Sequence, residues 1–286
     1  MKKLFPVFFA VTVLIVFSCT KEYSLENGDN SDNSQIVGVD CRITKISYTD
    51  TATDVGIGSL SAEINSTDDA TVITLFDSLS STIAYRSMPV HSNDTIFINS
   101  NEYFVTDPAT KRIKRLHALV DPTDLSSVQY DVDYFYNASN FLTSKFYSYT
   151  SNPGTPFRLV TYTYSGENII GMSATDLASG DLETDAVINY YTNILPKRYI
   201  YVFPDETNYS FFTQFYNFGQ KPSHAIKDMK VRYYDPGNVA RDSSVSTFTN
   251  YMISRDNYVL SVFMNGDDQP SIPAAAGLLN FSYKCK

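Results

Sequence analysis

Leu159-Val-Thr-Tyr-Thr-Tyr164, Ser165-Gly-Glu-Asn168, Ile169-Ile-Gly-Met172 is the stretch that decides the fold. Apolar and polar side chains alternate, four turn-forming residues interrupt them, and an apolar run resumes at once. Alternation at period two sends successive side chains to opposite faces of a strand, and so short an interruption joins two strands as a hairpin. The unit recurs upstream. Tyr103-Phe-Val-Thr-Asp107 turns through 108–110 into Lys111-Arg-Ile-Lys-Arg-Leu116. Val132-Asp-Tyr-Phe-Tyr136 turns through 137–140 into Phe141-Leu142 and runs on to Tyr149. Downstream, Tyr199-Ile-Tyr-Val-Phe203, a turn over 204–208 and Tyr209-Ser-Phe-Phe212 read as a fourth unit. Met229–Tyr234, Asn250–Ile253 with Tyr258–Phe263, and Leu279–Tyr283 read as further strands.

The first half gives the same signal. Ser59–Ile64 and Ala70–Leu75 flank Ser66-Thr-Asp-Asp69, and Asp94–Ile98 and Glu102–Thr106 flank Asn99-Ser-Asn101. Cys41–Tyr48 reads as a strand in which Ile43 falls out of phase with Ile46 and Tyr48. Leu75–Ser87 is a candidate short helix, diluted by Ser and Thr. Ala118–Ser127 reads as a loop, with Asp121 and Pro122 suited to start a single helical turn. MSATDLASGDLET, residues 172–184, reads as a polar connection. A lone hairpin is marginal in water, so consecutive hairpins must pair side by side. The expectation is an all-β chain: an antiparallel meander of successive hairpins, curled into an open or closed barrel-like sheet. Its 22 Tyr and 19 Phe, with no Trp, supply aromatic cross-strand ladders on one face.

The N-terminus reads differently. Lys2 and Lys3 precede an apolar run from Leu4 to Phe17, and Val16-Phe-Ser-Cys19 follows. About 14 residues are too few to span a ~30 Å hydrocarbon core but suit a signal peptide. The Val-Phe-Ser-Cys stretch resembles the bacterial lipobox, with Phe17 where a smaller residue is commoner. The resemblance implies cleavage before Cys19 and acylation of its thiol with chains such as palmitate. Two readings compete: ordinary secretion, with Val16 and Ser18 at the −3 and −1 positions, and an uncleaved anchor, which needs a longer run. Thr20 after Cys19 is not the aspartate of inner-membrane retention. Lys21-Glu22 loosely resembles the export signal of Bacteroidota surface lipoproteins, and it equally suits a polar start to a tether. The expected organisation is a signal peptide over 1–18, a flexible Asn/Asp/Ser-rich tether over 19–36 and one β-meander domain over 37–286.

Loss of Lys2 and Lys3 leaves 20 basic against 31 acidic residues. No basic block exists, which disfavours nucleic acid as a partner. With Cys19 lipidated, Cys41 and Cys285 remain. In an oxidising envelope they invite a disulfide that closes almost the whole domain; the alternative is two separate buried thiols.

Tyr103-Phe-Val-Thr-Asp107…Lys111-Arg112-Ile113 and Tyr162-Thr-Tyr164-Ser-Gly166…Ile169 resemble the YD (Rhs-type) repeat, Tyr-x-Tyr-Asp followed by a short turn and Gly-Arg-Leu/Ile. Similar meanders occur in uncharacterised Bacteroidota lipoproteins. The resemblance spans about residues 100–286. Thr110-Lys111 stands where the repeat has Gly, and most units lack the Asp. It implies a lipid-anchored envelope protein and brings no catalytic residue with it.

Chemistry-bearing motifs are sparse. His91, His117 and His224 share no metal spacing, and each suits a surface or turn position. Gly56-Ile-Gly58-Ser59 is a loop before a strand rather than a nucleophile elbow. Asp68-Asp69 and Asp267-Asp268 sit in turn-forming contexts where Asp serves the backbone. Neither a catalytic residue, a metal site nor a cofactor is expected. Thr51, Ser78 and Thr95 follow aspartates and precede apolar residues, resembling the Bacteroidota O-glycosylation site. The functional expectation is a non-catalytic binding or scaffold module, held to the outer membrane by lipid on its periplasmic or surface face. A glycan-binding or glycan-processing component of an uptake system and a hydrophobic-ligand carrier are the alternatives, and the partners are the membrane and a glycan or envelope protein.

Overall fold

The computed structural model describes residues 41–50, 55–65, 69–77, 81–121, 124, 126–197, 200–205, 210–266 and 276–285. Its strands are β1 (Cys41–Asp50), β2 (Val55–Ile64), β3 (Ala70–Asp77), β4 (Thr82–Ser87), β5 (Val90–Ser92), β6 (Thr95–Phe97), β7 (Tyr103–Thr106), β8 (Ile113–Leu119), β9 (Gln129–Tyr136), β10 (Leu142–Tyr149), β11 (Pro156–Ser165), β12 (Asn168–Asp176), β13 (Leu182–Tyr190), β14 (Ile226–Asp235), β15 (Val239–Ile253), β16 (Val259–Gly266) and β17 (Gly277–Cys285). A helical turn, α1 (Ser210–Thr213), lies between β13 and β14.

All 17 strands belong to one antiparallel sheet. Each strand pairs with the next, with a single interruption, and β1 also pairs with β17 so that the ends of the meander meet. The interruption falls between β4 and β5. β4 pairs back with β3 and β5 pairs forward with β6. Only Met88 and Pro89 separate them, and proline has no N–H to give a ladder. The sheet therefore curls through a near-complete ring without closing.

Alternation sorts the side chains as expected. Phe104, Leu116, Val132, Tyr134, Val160, Tyr162, Met172, Ala186, Met229, Val231, Val262 and Met264 are buried. The opposite face carries polar pairs set directly by register. Arg115 lies across from Asp133, at 2.6 Å, and Arg232 across from Asp185. Asn189 faces Asp228, and Thr161 faces Ser173.

The aromatic residue that ends many strands has a specific task. Tyr136 donates its hydroxyl hydrogen bond to the Ile113 carbonyl and Tyr164 to that of Leu142. Tyr251 and Tyr283 do the same to Ile226 and Val259, all at 2.7 Å. In each case a tyrosine near the end of one strand satisfies the carbonyl at the start of the strand before it. Tyr190 stands in the matching place beside Ile169, without a well-formed bond. Burial pushes the Tyr136, Tyr164, Tyr190 and Tyr283 hydroxyls well above the usual tyrosine range, so they stay neutral donors.

Four sequence expectations about elements change. Gly56-Ile-Gly58-Ser59 is not a loop before a strand but part of β2, paired with β1. Residues 172–184 are not a connection: Met172–Asp176 complete β12, Leu182–Thr184 open β13, and only 177–181 turn. Met172 and Ala174 point inward with Ala186, where small side chains suffice. The candidate helix over Leu75–Ser87 is the end of β3 and the whole of β4. The fourth hairpin does not form. Tyr201–Phe203 lie outside the sheet and Ser210–Thr213 is helical. The phase slip at Ile43 is a β-bulge: the β1–β17 register shifts between Ile43 and Lys45, which puts Cys41, Ile43 and Tyr48 on the buried face together.

The segment joining β13 to β14 fills the curl. Its Phe212 packs on Tyr85 of β4 and Phe104 of β7, and Phe218 packs on Tyr134 of β9. Asn217 accepts from the Ile113 amide of β8. Phe203 meets Tyr162 of β11, Ser223 and His224 hydrogen-bond Asn168 of β12, and Tyr191 meets Tyr251 of β15. A segment that touches strands from β4 round to β15 sits inside the ring. Gly219, at φ 89°, permits its tightest approach: a Cβ there would strike the Asn140 carbonyl and the Tyr136 ring.

Candidate functional site

Among the described strand residues, Lys145 is a fully buried charge on the inner face. Lys145 shares its phase on β10 with Tyr147 and is fully enclosed. Its Nζ donates to Asp205 Oδ2 at 3.0 Å, and the Tyr162 hydroxyl donates to Asp205 Oδ1 at 2.5 Å. The rings of Phe203, Tyr134 and Tyr162 surround the ammonium at 5.0, 5.6 and 5.7 Å. Asp205 comes from the filling segment, just after Pro204, so the pair ties that segment to β10 and β11. Burial pushes the Asp205 carboxyl up. Lys145, the Tyr162 hydroxyl and the Arg158 guanidinium outweigh it and hold the group below the usual carboxylate range. Arg158 lies over Tyr147 at 5.0 Å and donates to Glu183 at 2.6 Å. This is a clasp: its charged atoms are enclosed and satisfied by one another.

A second feature can take a ligand. A cavity of about 380 Å³ lies where the filling segment meets the first strand, lined by Cys41, Arg42, Ile43, Ile64, Tyr201 and residues of 214–221. That volume is within the ~300–1,000 Å³ of small-molecule sites. Gln214 is committed to the Tyr201 backbone through both ends of its amide. Lys221 lies 4.7 Å from the Tyr201 ring centroid. Tyr216 is buried, and its hydroxyl makes no hydrogen bond.

Cys41 and Cys285, opposite one another in register, are joined by a disulfide, Cα–Cα 4.0 Å, beside this cavity. Thr95 opens β6, half-buried. Cys19, Thr51 and Ser78 lie outside the described residues, as do Asp68, Asp267 and Asp268. Asp69 takes a turn role, its amide bonded by the Asn65 side chain. The histidines stand apart. His117 is not a surface residue but a buried strand residue, stacked on Tyr103 at 4.8 Å and bonded to Asp131 at 2.8 Å. His91 contacts the Ala70 carbonyl, and His224 contacts Asn168 and Ser223. The sequence reading missed Lys145 and Asp205. The available signal was a lysine in the inward phase of a strand, which demands a buried counter-charge.

No protein-family profile matches the chain, and no curated protein sequence matches it. Solved structures do. A porin-like protein from Bacteroides uniformis ATCC 8492 superposes with a TM-score of 0.59 at 10% identity, over 85% of this chain and 98% of the other. A porin-like protein from Bacteroides vulgatus ATCC 8482 gives a TM-score of 0.51 at 13% identity, over 86% and 99%. What the chain shares with both is the fold.

Proposed function

We propose that this chain is a non-catalytic binding or scaffold module of the bacterial cell envelope, carried on lipid at Cys19 and not on its strands. The observation that carries the reading is the polarity of the sheet. Strands that cross a bilayer present an apolar outward band ~25 Å tall around a polar lumen. Here the buried face is apolar and filled by the β13–β14 segment, while the exposed face carries Arg115, Asp133, Asp185 and Arg232. Apolar side chains such as Phe135 and Val187 stand exposed among them. An apolar interior packed by the β13–β14 segment and a charged outer face are the reverse of what a channel needs. A hydrophobic carrier would need a hollow where Phe104, Phe212 and Phe218 pack edge to face. The test is reconstitution of the full chain in liposomes loaded with a small dye. No dye release above empty liposomes is expected; size-dependent release would overturn the reading.

Glycan binding is favoured by one observation. Tyr149 and Phe157 stack at 4.4 Å where β10 ends and β11 begins, Tyr149 exposed and Phe157 half-buried, with Tyr130 directly opposite Tyr149. A glycan array separates the readings: binding that Tyr149→Ala abolishes selects this one.

A further inference from the structure

The Lys145–Asp205 pair sets a nucleophile against a carboxyl group in a dry enclosure. The Lys145 Nζ lies 3.0 Å from Asp205 Oδ2, with side-chain exposures of 1% and 0%. The two residues are 60 apart in sequence, one on β10 and one on the filling segment, and the fold alone brings them together. Groups held about 3–3.5 Å apart in a fixed orientation have much of a reaction barrier met by positioning.

The surroundings favour a neutral product. The rings of Phe203, Tyr134 and Tyr162 stand around the ammonium, and Phe218 packs on both Phe203 and Tyr134. An enclosed ion pair carries the desolvation cost of two charges. An amide in the same place buries no charge, and the enclosure keeps from it the water that would hydrolyse it. A lysine amine desolvated among apolar rings is a competent nucleophile. The Tyr162 hydroxyl, 2.5 Å from Asp205 Oδ1, aims a donor at the oxygen on which negative charge would develop.

We propose that Lys145 and Asp205 condense to an isopeptide bond, Nζ to Cγ, that fastens the filling segment covalently to the sheet. One proton first moves from Nζ to Oδ2, which turns the two ions into an amine and a carboxylic acid without changing the net charge. The Nζ lone pair then attacks Cγ, and the carbonyl electron pair moves onto Oδ1, held by the Tyr162 hydroxyl. As that carbonyl reforms, the Cγ–Oδ2 bond breaks. Oδ2 leaves as water with its own hydrogen and one from the nitrogen, and one hydrogen stays on the amide. Nothing is oxidised or reduced, and no co-reactant is needed. Lys145 and Arg158 favour the ionised carboxyl, so the neutral pair is the rarer form and the bond accumulates with time. The chain folds with the ion pair, which titrates; the amide that replaces it does not. With the Cys41–Cys285 disulfide it gives the domain a second covalent closure, one that no reductant opens.

The experiment uses the full chain as Cys19→Ser, which keeps lipid out of the mass. Samples taken at purification and after prolonged incubation below the melting temperature are reduced, digested with trypsin and analysed by mass spectrometry. The expected result is a branched peptide joining the stretch around Lys145 to that around Asp205, lighter by one water than its two parts together. It should grow with time, with matching loss of cleavage after Lys145, and it should be absent from Lys145→Met. Tyr162→Phe, which keeps the ring and removes the hydroxyl, should slow its appearance at least tenfold. Absence of the branched peptide at every time overturns the proposal. So does a loss of water confined to the Asp205 peptide, which would be a cyclic imide, or a branch that persists in Lys145→Met.

Discussion

Replacing Lys145 by Met tests how the filling segment is held. The substitution keeps an unbranched side chain of similar length in the same enclosure and strips the ammonium from Asp205. A buried carboxylate left without its partner costs about 3–5 kcal/mol. The lower end applies here, about 3 kcal/mol, because the Tyr162 hydroxyl stays bonded to Asp205 and Arg158 still acts on it. Adding Asp205→Asn removes the orphaned charge and keeps an acceptor for Tyr162. The double variant should therefore recover at least about 2 kcal/mol of the loss, a coupling expected only of groups in contact. Urea unfolding at pH 7, followed by circular dichroism and tyrosine fluorescence because the chain has no Trp, reads each step. The sign of the pH dependence follows from the depressed Asp205 carboxyl. Its contribution is complete above the unfolded value of about 3.9 and is lost as pH falls below that toward the lower folded value. The Asp205→Asn chain should lack this share of the acid slope. A single substitution costing under about 1 kcal/mol, or a double equal to the sum of the singles, would refute the clasp.

Other outcomes follow from the geometry. Tyr164→Phe leaves the Leu142 carbonyl without its 2.7 Å donor and should cost about 1–3 kcal/mol in the same urea assay, with packing retained. Gly219→Ala meets both a positive φ and the Asn140 backbone; hydrogen exchange should show loosened amides in 214–221 before the sheet itself opens. Reducing Cys41–Cys285, which closes a separation of 244 residues, should lower stability by up to about 5 kcal/mol; an unchanged urea midpoint contradicts that. Arg232→Ala breaks an exposed pair with Asp185 and should cost no more than about 1 kcal/mol.

The meander was legible because its hairpins state themselves. Tyr103–Leu116, Val132–Tyr149 and Leu159–Met172 combine period-two alternation with turns at Lys111, Asn140 and Gly166, each of which takes a positive φ. The bulge at Ile43 was legible as a broken phase. The filling segment was not, because Tyr199–Phe212 alternates aromatics as a strand does, and periodicity does not distinguish a paired strand from an irregular stretch packed on all sides. Pro196, Pro204 and Pro222 were the warning, since none can donate to a ladder. The start of β13 was missed for the complementary reason. With the interior already filled by Phe203, Phe212 and Phe218, the buried positions over 172–186 are only Met172, Ala174 and Ala186, and this stretch reads as polar. The cavity lay beyond sequence reasoning altogether: Cys41 and Ile43 of β1 and residues 214–221 line it together only because the filling segment folds back against β1.

Whether the chain is held by lipid or by its strands is decided most directly by fractionating cells that express the full chain and its Cys19→Ser variant. The wild-type chain should sediment with the envelope and take up labelled palmitate, and the variant should appear unlabelled in the soluble fraction with its disulfide intact. A variant that stays in the membrane through high salt and carbonate extraction would contradict the account, because it would mean that the sheet itself spans the bilayer.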